Sequence, residues 1–306
     1  MSTIGELGEF GLISLLTRRL PVSPDVQLGP GDDAAVIATP DGRVVASTDL
    51  LVEGRHFRRD WSSPYDIGRK AAAQNLADVV AMGARPTALL IGFAAPFTTA
   101  TTWAERLYDG FTDECGVAGA AVAGCDIVAA PEITLAITAL GDLGGAPPLT
   151  RAGARPGDVV AIRGRLGWSA AGLALLTAGR DGPAELITAH RRPEPPYAAG
   201  AEARAAGATA LLDVSDGLVQ DLGHIATASG VRIDVDAAAV PVPEILGPDG
   251  LRYALTGGED HAFAGTFPAN AVLPSSWSLV GSVTEGTGIR VDGREQRHSG
   301  WDHFRA

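Results

Sequence analysis

A cluster of glycines and prolines, GGAPPLTRAGARPGD at residues 144–158, divides the chain into two halves. Such a cluster interrupts both helices and strands, so it predicts a boundary between domains. On each side of it, short apolar runs typical of strands alternate with longer amphipathic stretches typical of helices. We therefore expect an α/β fold with α+β layers in two domains, residues 1–143 and 150–306.

The composition argues against several classes of protein. Of the 306 residues 46% are hydrophobic, which is enough to form real cores, and the net charge of −12 disfavours a nucleic-acid surface, which needs a basic face. Cys115 and Cys125 form no CxxC pattern, so neither a disulfide framework nor a zinc site is expected. Glu6 and Glu9 precede any apolar run, unlike a signal peptide, and no uncharged apolar segment reaches about 18 residues. We expect a cytoplasmic protein that binds neither nucleic acid nor membranes.

Turn and capping signals predict individual elements. Residues 6–20 are expected to form an amphipathic helix, and the Pro-Asp-Gly turn at 40–42 to close a β-hairpin within residues 34–50. A long helix is expected from Ser63, a good N-cap, to Gly83, a good C′ residue. Further strands are expected at 88–95, 119–124, 132–143, 159–163, 209–214 and 231–235, with further helices at 101–114, 169–178, 197–206 and 216–229.

Two adjacent carboxylates, Asp32 and Asp33, precede an apolar run that the pattern predicts to be a buried strand. Like charges about 4 Å apart repel by roughly 4 kcal/mol at an effective dielectric constant near 20, so an arginine, a lysine or a metal ion should compensate them. The glycines at 29–34 match a Rossmann GxGxxA string, but that fingerprint requires a helix directly after it. Lys70, the single lysine, is not in a P-loop. A nucleotide would have to be bound by other means.

Other aspartates also border apolar runs. They are Asp49, Asp78, Asp126, Asp213 and Asp216. The ends of strands are where α/β folds bind ligands, and carboxylate oxygens suit Mg²⁺. Each aspartate on its own could instead cap a helix or a turn, as Asp216 could before its helix. Their recurrence favours a magnesium site of the kind that supports phosphoryl transfer.

Several segments together resemble the thiamine-monophosphate kinase family of the aminoimidazole-ribonucleotide-synthetase-like ATP-binding superfamily. They are GPGDDAAVI, STDLLVEGRHF, GRKAAAQNLADVVAMGARP, LTRAGARPGD, LLDVSDGLVQDLGHIA, LTGGED and GWDHF, and they span nearly the whole chain. The resemblance implies an enzyme of thiamine biosynthesis that transfers the γ-phosphoryl group of ATP to thiamine monophosphate, giving thiamine diphosphate. It also implies several Mg²⁺ ions and a homodimer in which the N-terminal sheets pair.

The resemblance also implies roles for individual residues. The matched metal ligands are Asp33, Ser47, Thr48, Asp49, Asp78, Asp126, Asp213 and Asp216. Tyr108, Cys125, Asp126, Arg151 and Ser215 match the nucleotide side, and His56, Glu259 and a tail aromatic, Trp301 or Phe304, match the substrate side. Without the resemblance, Tyr108 would equally fit a core and Arg151 a solvent-exposed linker. Cys125 replaces a usual glycine and His261 a usual tyrosine, so the fine shape of both pockets departs from the family pattern.

The acceptor chemistry needs no general base. A phosphate monoester has a second pKa near 6 and is mostly dianionic at about pH 7, so we expect direct in-line transfer, no phosphoenzyme and no catalytic side chain beyond the metal ligands. His56 is then a donor that orients the substrate. The alternatives are another ATP-using enzyme of the superfamily, such as a ring-closing purine synthetase, or a non-catalytic metal-binding module, although no EF-hand loop is present.

Overall fold

The structure, a computed structural model, describes residues 3–7, 12, 15, 16, 18, 23–28 and 35–296. Its contacts divide the chain into unit 1, Met1–Val79 with Ala84–Ala146, and unit 2, Val80–Gly83 with Pro147–Ala306. Both units combine helices with β-sheets, which confirms the expected α/β class. Helix α1 covers Ile4–Leu7, and most of the helix expected at 6–20 lies outside the described residues.

Unit 1 is built on a four-stranded sheet. Its strands are β3 (Val45–Val52), β4 (Arg85–Ala95), β5 (Ala121–Ala129) and β6 (Thr134–Asp142), in the order β3-β6-β4-β5. β4 and β5 are parallel, while β6 runs antiparallel to both of its neighbours. β3 and β5 are therefore the two edges of the sheet, separated by two strands.

Two helices accompany this sheet, α2 (Pro64–Ala81) and α3 (Thr101–Ala118). The predicted start of α2 is confirmed, because Ser63 and Asp66 exchange hydrogen bonds in a capping box. The helices cross without side chains between them: a Cβ on Gly68 would lie 2.1 Å from the Leu107 carbonyl oxygen, and one on Gly110 would lie 2.2 Å from that of Tyr65. This close crossing fixes α2, which carries Asp78.

One face of the unit 1 sheet is open. Successive strand residues point to opposite faces, and the register puts Leu50 of β3, Leu90 of β4 and Val128 of β5 on the same side. These three side chains are 58%, 36% and 53% exposed, whereas Leu51 and Ile137 on the other side are completely buried. The sheet therefore presents an apolar surface to solvent.

The expected hairpin at 34–50 is wrong. The turn at 40–42 is present, but β2 (Val36–Ile37) pairs with β1 (Val26–Leu28), while β3 pairs with β6. β2 is also not the buried strand that the apolar run predicted, because Val36 is 46% exposed. The apolar pattern identified strands without identifying their partners.

Unit 2 contains a seven-stranded sheet in the order β13-β12-β9-β11-β7-β10-β8. Its strands are β7 (Val159–Arg163), β8 (Ala210–Val214), β9 (Arg232–Val235), β10 (Ala262–Phe267), β11 (Trp277–Thr284), β12 (Gly288–Val291) and β13 (Arg294–Glu295). Its helices are α4 (Trp168–Thr177), α5 (Ala184–Arg191), α6 (Ala199–Ala205), α7 (Leu218–Ser229) and α8 (Gly250–Thr256). α5 and α8 are additions to the predicted set. No helix in the described part of the chain is long and apolar enough to cross a bilayer.

Candidate active site

In unit 1, β3 and α2 bring three predicted metal ligands together. Ser47 and Asp49 are two residues apart on β3, so both point to its buried side, and Asp78 faces them from α2. The Ser47 hydroxyl donates a 2.6 Å hydrogen bond to Asp78 Oδ2. The result is a group of hard oxygen atoms at the junction of strand and helix.

Two amide side chains support this group, and sequence reasoning did not identify them. Gln74 Nε2 donates to Asp49 Oδ2 at 3.2 Å, and Asn75 Oδ1 accepts the Asp49 N–H at 3.1 Å. Asn75 is fully buried and donates in turn to the Ala71 carbonyl, which fixes its orientation. The available signal was the position of Gln74 one helical turn before Asp78.

Thr48 does not join this group through its side chain. Its hydroxyl donates to the Ile137 carbonyl at 2.8 Å, and the strand alternation turns it toward the open face of the sheet. Its role as a metal ligand stays a prediction.

His56 follows β3 in a tight turn. Its Nδ1 accepts the Val52 N–H at 3.0 Å, so a neutral ring carries its proton on Nε2. The buried Lys70 donates to the His56 carbonyl at 3.1 Å. The Nε2–H of a neutral His56 is then a hydrogen-bond donor, and its role in orienting the substrate stays a prediction.

The nucleotide-side candidates of unit 1 lie on α3 and β5. Tyr108 is buried beside Cys125; burial raises the pKa of both groups, and the negative charge of Asp126 adds to both shifts. Asp126 itself is exposed on the open face, opposite to its neighbour Cys125. Within one chain, Asp126 and Asp49 are on opposite edges and opposite faces of the sheet. The structure does not bring these two carboxylates together.

In unit 2, Asp213 lies near the end of β8, and Ser215 and Asp216 lie in the turn between β8 and α7. A further residue, Asp221, shapes this turn: its Oδ2 accepts the N–H groups of residues 215, 216 and 217 at 3.1, 3.0 and 3.1 Å. Burial raises the pKa of Asp221 to about 7. The negative charges of Asp213 and Asp216 also raise this pKa, whereas the hydrogen bonds from the backbone N–H groups lower it. Sequence reasoning missed Asp221 because its spacing is that of an ordinary helical residue.

The LTGGED segment packs against the same turn. The Glu259 N–H donates to the Ser215 carbonyl at 2.8 Å, and a Cβ on Gly258 would lie 2.3 Å from that oxygen. His261, at the position that departs from the family pattern, places its Nδ1 3.1 Å from Asp213 Oδ2. A predicted substrate contact, Glu259, thus lies beside predicted metal ligands.

Asp260 and His190 hold this segment, and neither was expected. The two oxygens of Asp260 accept the N–H groups of Gly167 and Ser169 at 2.6 and 2.8 Å. Burial raises the pKa of Asp260 to about 7, and these N–H groups oppose the shift. His190 Nδ1 lies 3.0 Å from the Ser169 hydroxyl and 3.5 Å from Glu259 Oε2.

Arg151 also belongs to this part of unit 2. Its side chain is exposed, and its carbonyl accepts the Ser229 hydroxyl at 3.1 Å. The pKa of His224 is lowered mainly by burial and then by the Arg151 charge, while the Asp216 charge opposes the shift. The charge of Arg151 therefore reaches His224 on α7, and its role in binding a phosphate stays a prediction.

Three predicted residues, Asp33, Trp301 and Phe304, lie outside the described residues. Within the described ranges, no three histidine, cysteine, aspartate or glutamate side chains form a cluster able to hold a metal ion. The donors that are present are carboxylates and a hydroxyl, whose chemistry fits Mg²⁺ with its other positions filled by phosphate or water.

The chain is similar to known proteins over nearly its whole length. Residues 31–143 match the family described as AIR synthase related protein, N-terminal domain, and residues 155–292 match the corresponding C-terminal domain. A thiamine-monophosphate kinase from Mycobacterium tuberculosis (strain ATCC 25618 / H37Rv) is 47% identical, over 99% of this chain and 93% of that protein. The crystal structure of a thiamine-monophosphate kinase from Stenotrophomonas maltophilia K279a has a TM-score of 0.82 at 33% identity, covering 93% of this chain and 95% of that one. AaThiL complexed with AMPPCP and TMP has a TM-score of 0.81 at 33% identity, covering 99% of both chains.

Proposed function

The chain belongs to the thiamine-monophosphate kinase family, and from that premise we propose how it phosphorylates thiamine monophosphate (TMP) with ATP. The main support for this activity is that the whole chain is similar to thiamine-monophosphate kinases, including a structure with AMPPCP and TMP. The transfer is direct and in line, and it forms no phosphoenzyme. The protein's task is to position two anionic reactants and to balance their charge.

Mg²⁺ would be held by two sets of residues. In unit 1 they are Asp49, Asp78 and Ser47, and in unit 2 they are Asp213 and Asp216. The support is the oxygen chemistry of these donors and the fixed geometry of the first set. When bound, Mg²⁺ neutralises phosphate charge. Tyr108, Cys125, Arg151 and Ser215 remain the residues proposed for the nucleotide side.

The acceptor phosphate needs no base from the protein because it is mostly dianionic above its second pKa of about 6. The bonding of His56 supports this view, since its Nδ1 accepts the Val52 N–H and a neutral ring therefore carries its proton on Nε2, as a donor and not as a base. His56 orients TMP, together with Glu259 and an aromatic residue of the tail, Trp301 or Phe304.

The working form is a homodimer built on the open face of the unit 1 sheet. Its support is the exposed apolar surface formed by Leu50, Leu90 and Val128. Two free cysteines and the use of ATP fit a cytoplasmic enzyme.

The activity is tested by incubating the chain with ATP, Mg²⁺ and TMP and separating the products by chromatography. Thiamine diphosphate and ADP should form in equal amounts, and thiamine without its phosphate should be a poor acceptor. Asp49→Asn should slow turnover by about 100-fold or more without unfolding the chain. Equal rates on thiamine and TMP, or an unaffected Asn variant, would contradict the anionic acceptor or the metal assignment.

A further inference from the structure

Asp221 is a buried carboxylate, 3% exposed, in the first turn of α7. One of its oxygens accepts three consecutive backbone N–H groups, those of residues 215, 216 and 217, at 3.0 to 3.1 Å. We propose that Asp221 is a positioning residue that holds the β8–α7 turn in the shape in which Asp213 and Asp216 bind a Mg²⁺–nucleotide complex. This inference rests on the proposed function of that turn.

The turn is held from two sides, and Asp221 supplies one of them. The N–H of Ser215 donates to Asp221, while its carbonyl accepts the Glu259 N–H at 2.8 Å. The peptide groups on both sides of Ser215 are thus fixed, and so is the direction in which Asp216 leaves the backbone. Without the acceptor on Asp221, three N–H donors lose their partner and the turn relaxes.

The three N–H groups need an acceptor oxygen in the right position, and this oxygen does not have to carry a charge. Burial disfavours ionisation of the Asp221 carboxyl group, and the negative charges of Asp213 and Asp216 disfavour it further. What the turn requires is an oxygen at one point, so geometry and charge can be separated by substitution. Asp221→Asn keeps an acceptor oxygen of the same reach, whereas Asp221→Glu keeps the charge and moves the oxygen by about 1.5 Å.

The test compares the parent chain with the Asn, Glu and Ala variants of Asp221. Mn²⁺ affinity is measured by electron paramagnetic resonance in the presence of AMPPCP, and Mg²⁺ half-saturation is measured by kinase assay. Removing a group that orients metal ligands typically weakens binding about 10- to 100-fold, so the Glu and Ala variants should lose at least about tenfold in both measurements. Their kcat at saturating metal should change less than this. The Asn variant should stay within about threefold of the parent.

Asp158→Ala is the matched control. Asp158 is also a buried aspartate of unit 2 that accepts a backbone N–H, from Arg155 at 2.9 Å, but it lies at the opposite end of the sheet from Asp213. Its substitution should lower the melting temperature without weakening Mn²⁺ binding.

A folded Glu or Ala variant that binds Mn²⁺ as the parent does would overturn the positioning role. So would an Asn variant that binds Mn²⁺ more weakly than the Glu variant, because charge would then matter more than geometry. If the Ala variant fails to fold, the comparison between Asn and Glu decides. A parent chain that binds Mn²⁺ with AMPPCP but makes no thiamine diphosphate would refute the proposed function alone.

Discussion

Ser47 on β3 and Asp78 on α2, 31 residues apart in the sequence, are joined by a 2.6 Å hydrogen bond from hydroxyl to carboxylate. The bond ties an edge strand to the helix that packs on it. It also holds two proposed Mg²⁺ ligands in contact before any ion is bound, which reduces the ordering that binding would otherwise require.

Ser47→Ala should weaken metal binding at this junction. A hydrogen bond to a charged group contributes about 1.5 to 3 kcal/mol, and we expect the Mg²⁺ half-saturation concentration to rise about tenfold in kinase assays. Thr87→Ala is a suitable control, because the Thr87 hydroxyl donates to a carbonyl of the same sheet at 3.1 Å, away from the ligands. An unchanged Mg²⁺ dependence in Ser47→Ala would exclude Ser47 from the site.

Substitutions can separate the two hydrogen-bonding roles of His56. His56→Asn retains an acceptor for the Val52 N–H but removes the Nε2 donor, while His56→Ala removes both. Both variants should raise the KM for TMP about tenfold, the loss of one hydrogen bond to a charged phosphate, and only the Ala variant should also lower the melting temperature. A normal KM in the Asn variant would argue that His56 does not touch the substrate.

The raised pKa of Asp260 predicts a pH-dependent stability. The folded chain keeps a proton on Asp260 up to about pH 7, whereas the unfolded chain releases it near the ordinary aspartate pKa of 3.8. Between these values the folded state binds more protons, so its stability falls as pH rises, by at most about 1.4 kcal/mol per pH unit. His224 acts in the opposite direction, because its pKa is lowered and the stability it contributes rises with pH.

Urea denaturation without Mg²⁺, compared between about pH 5 and pH 8, isolates this contribution. The free energy of unfolding should fall more steeply with pH for the parent than for Asp260→Asn, which cannot titrate there. Identical pH slopes would show that Asp260 is ionised in the folded chain.

Leu50→Glu should dissociate the proposed homodimer. Leu50 is 58% exposed on the open sheet face, and a buried charge there would lack a partner. Light scattering coupled to gel filtration should show a monomer, with dimer affinity reduced by at least about 100-fold. Leu279→Glu, at a residue of similar exposure in unit 2, should leave the mass unchanged. A dimeric Leu50→Glu variant would place the interface elsewhere.

Local signals in the sequence predicted the elements better than their pairing. The long helix α2 begins as expected because Ser63 and Pro64 act within its first turn. The hairpin failed because strand pairing is set by distant partners: Asp49 on β3 lies opposite Ile137, not opposite β2.

The same distinction applies to the site. Aspartates at the ends of apolar runs could be recognised, but the residues that orient them could not. Asn75 serves a backbone group 26 residues away, and Asp260 serves one 93 residues away. Such contacts depend on how α2 and the LTGGED segment fold back on the chain, and no local pattern encodes them.

Lys70 is the only lysine of the chain, and it is 2% exposed, with its ammonium group donating to the His56 carbonyl. Every other fixed side-chain cation is an arginine. While folded, the protein therefore offers no exposed lysine side chain to amine-directed crosslinkers, fluorophores or enzymatic acylation. Labelling of Lys70 would report opening of the turn that carries His56.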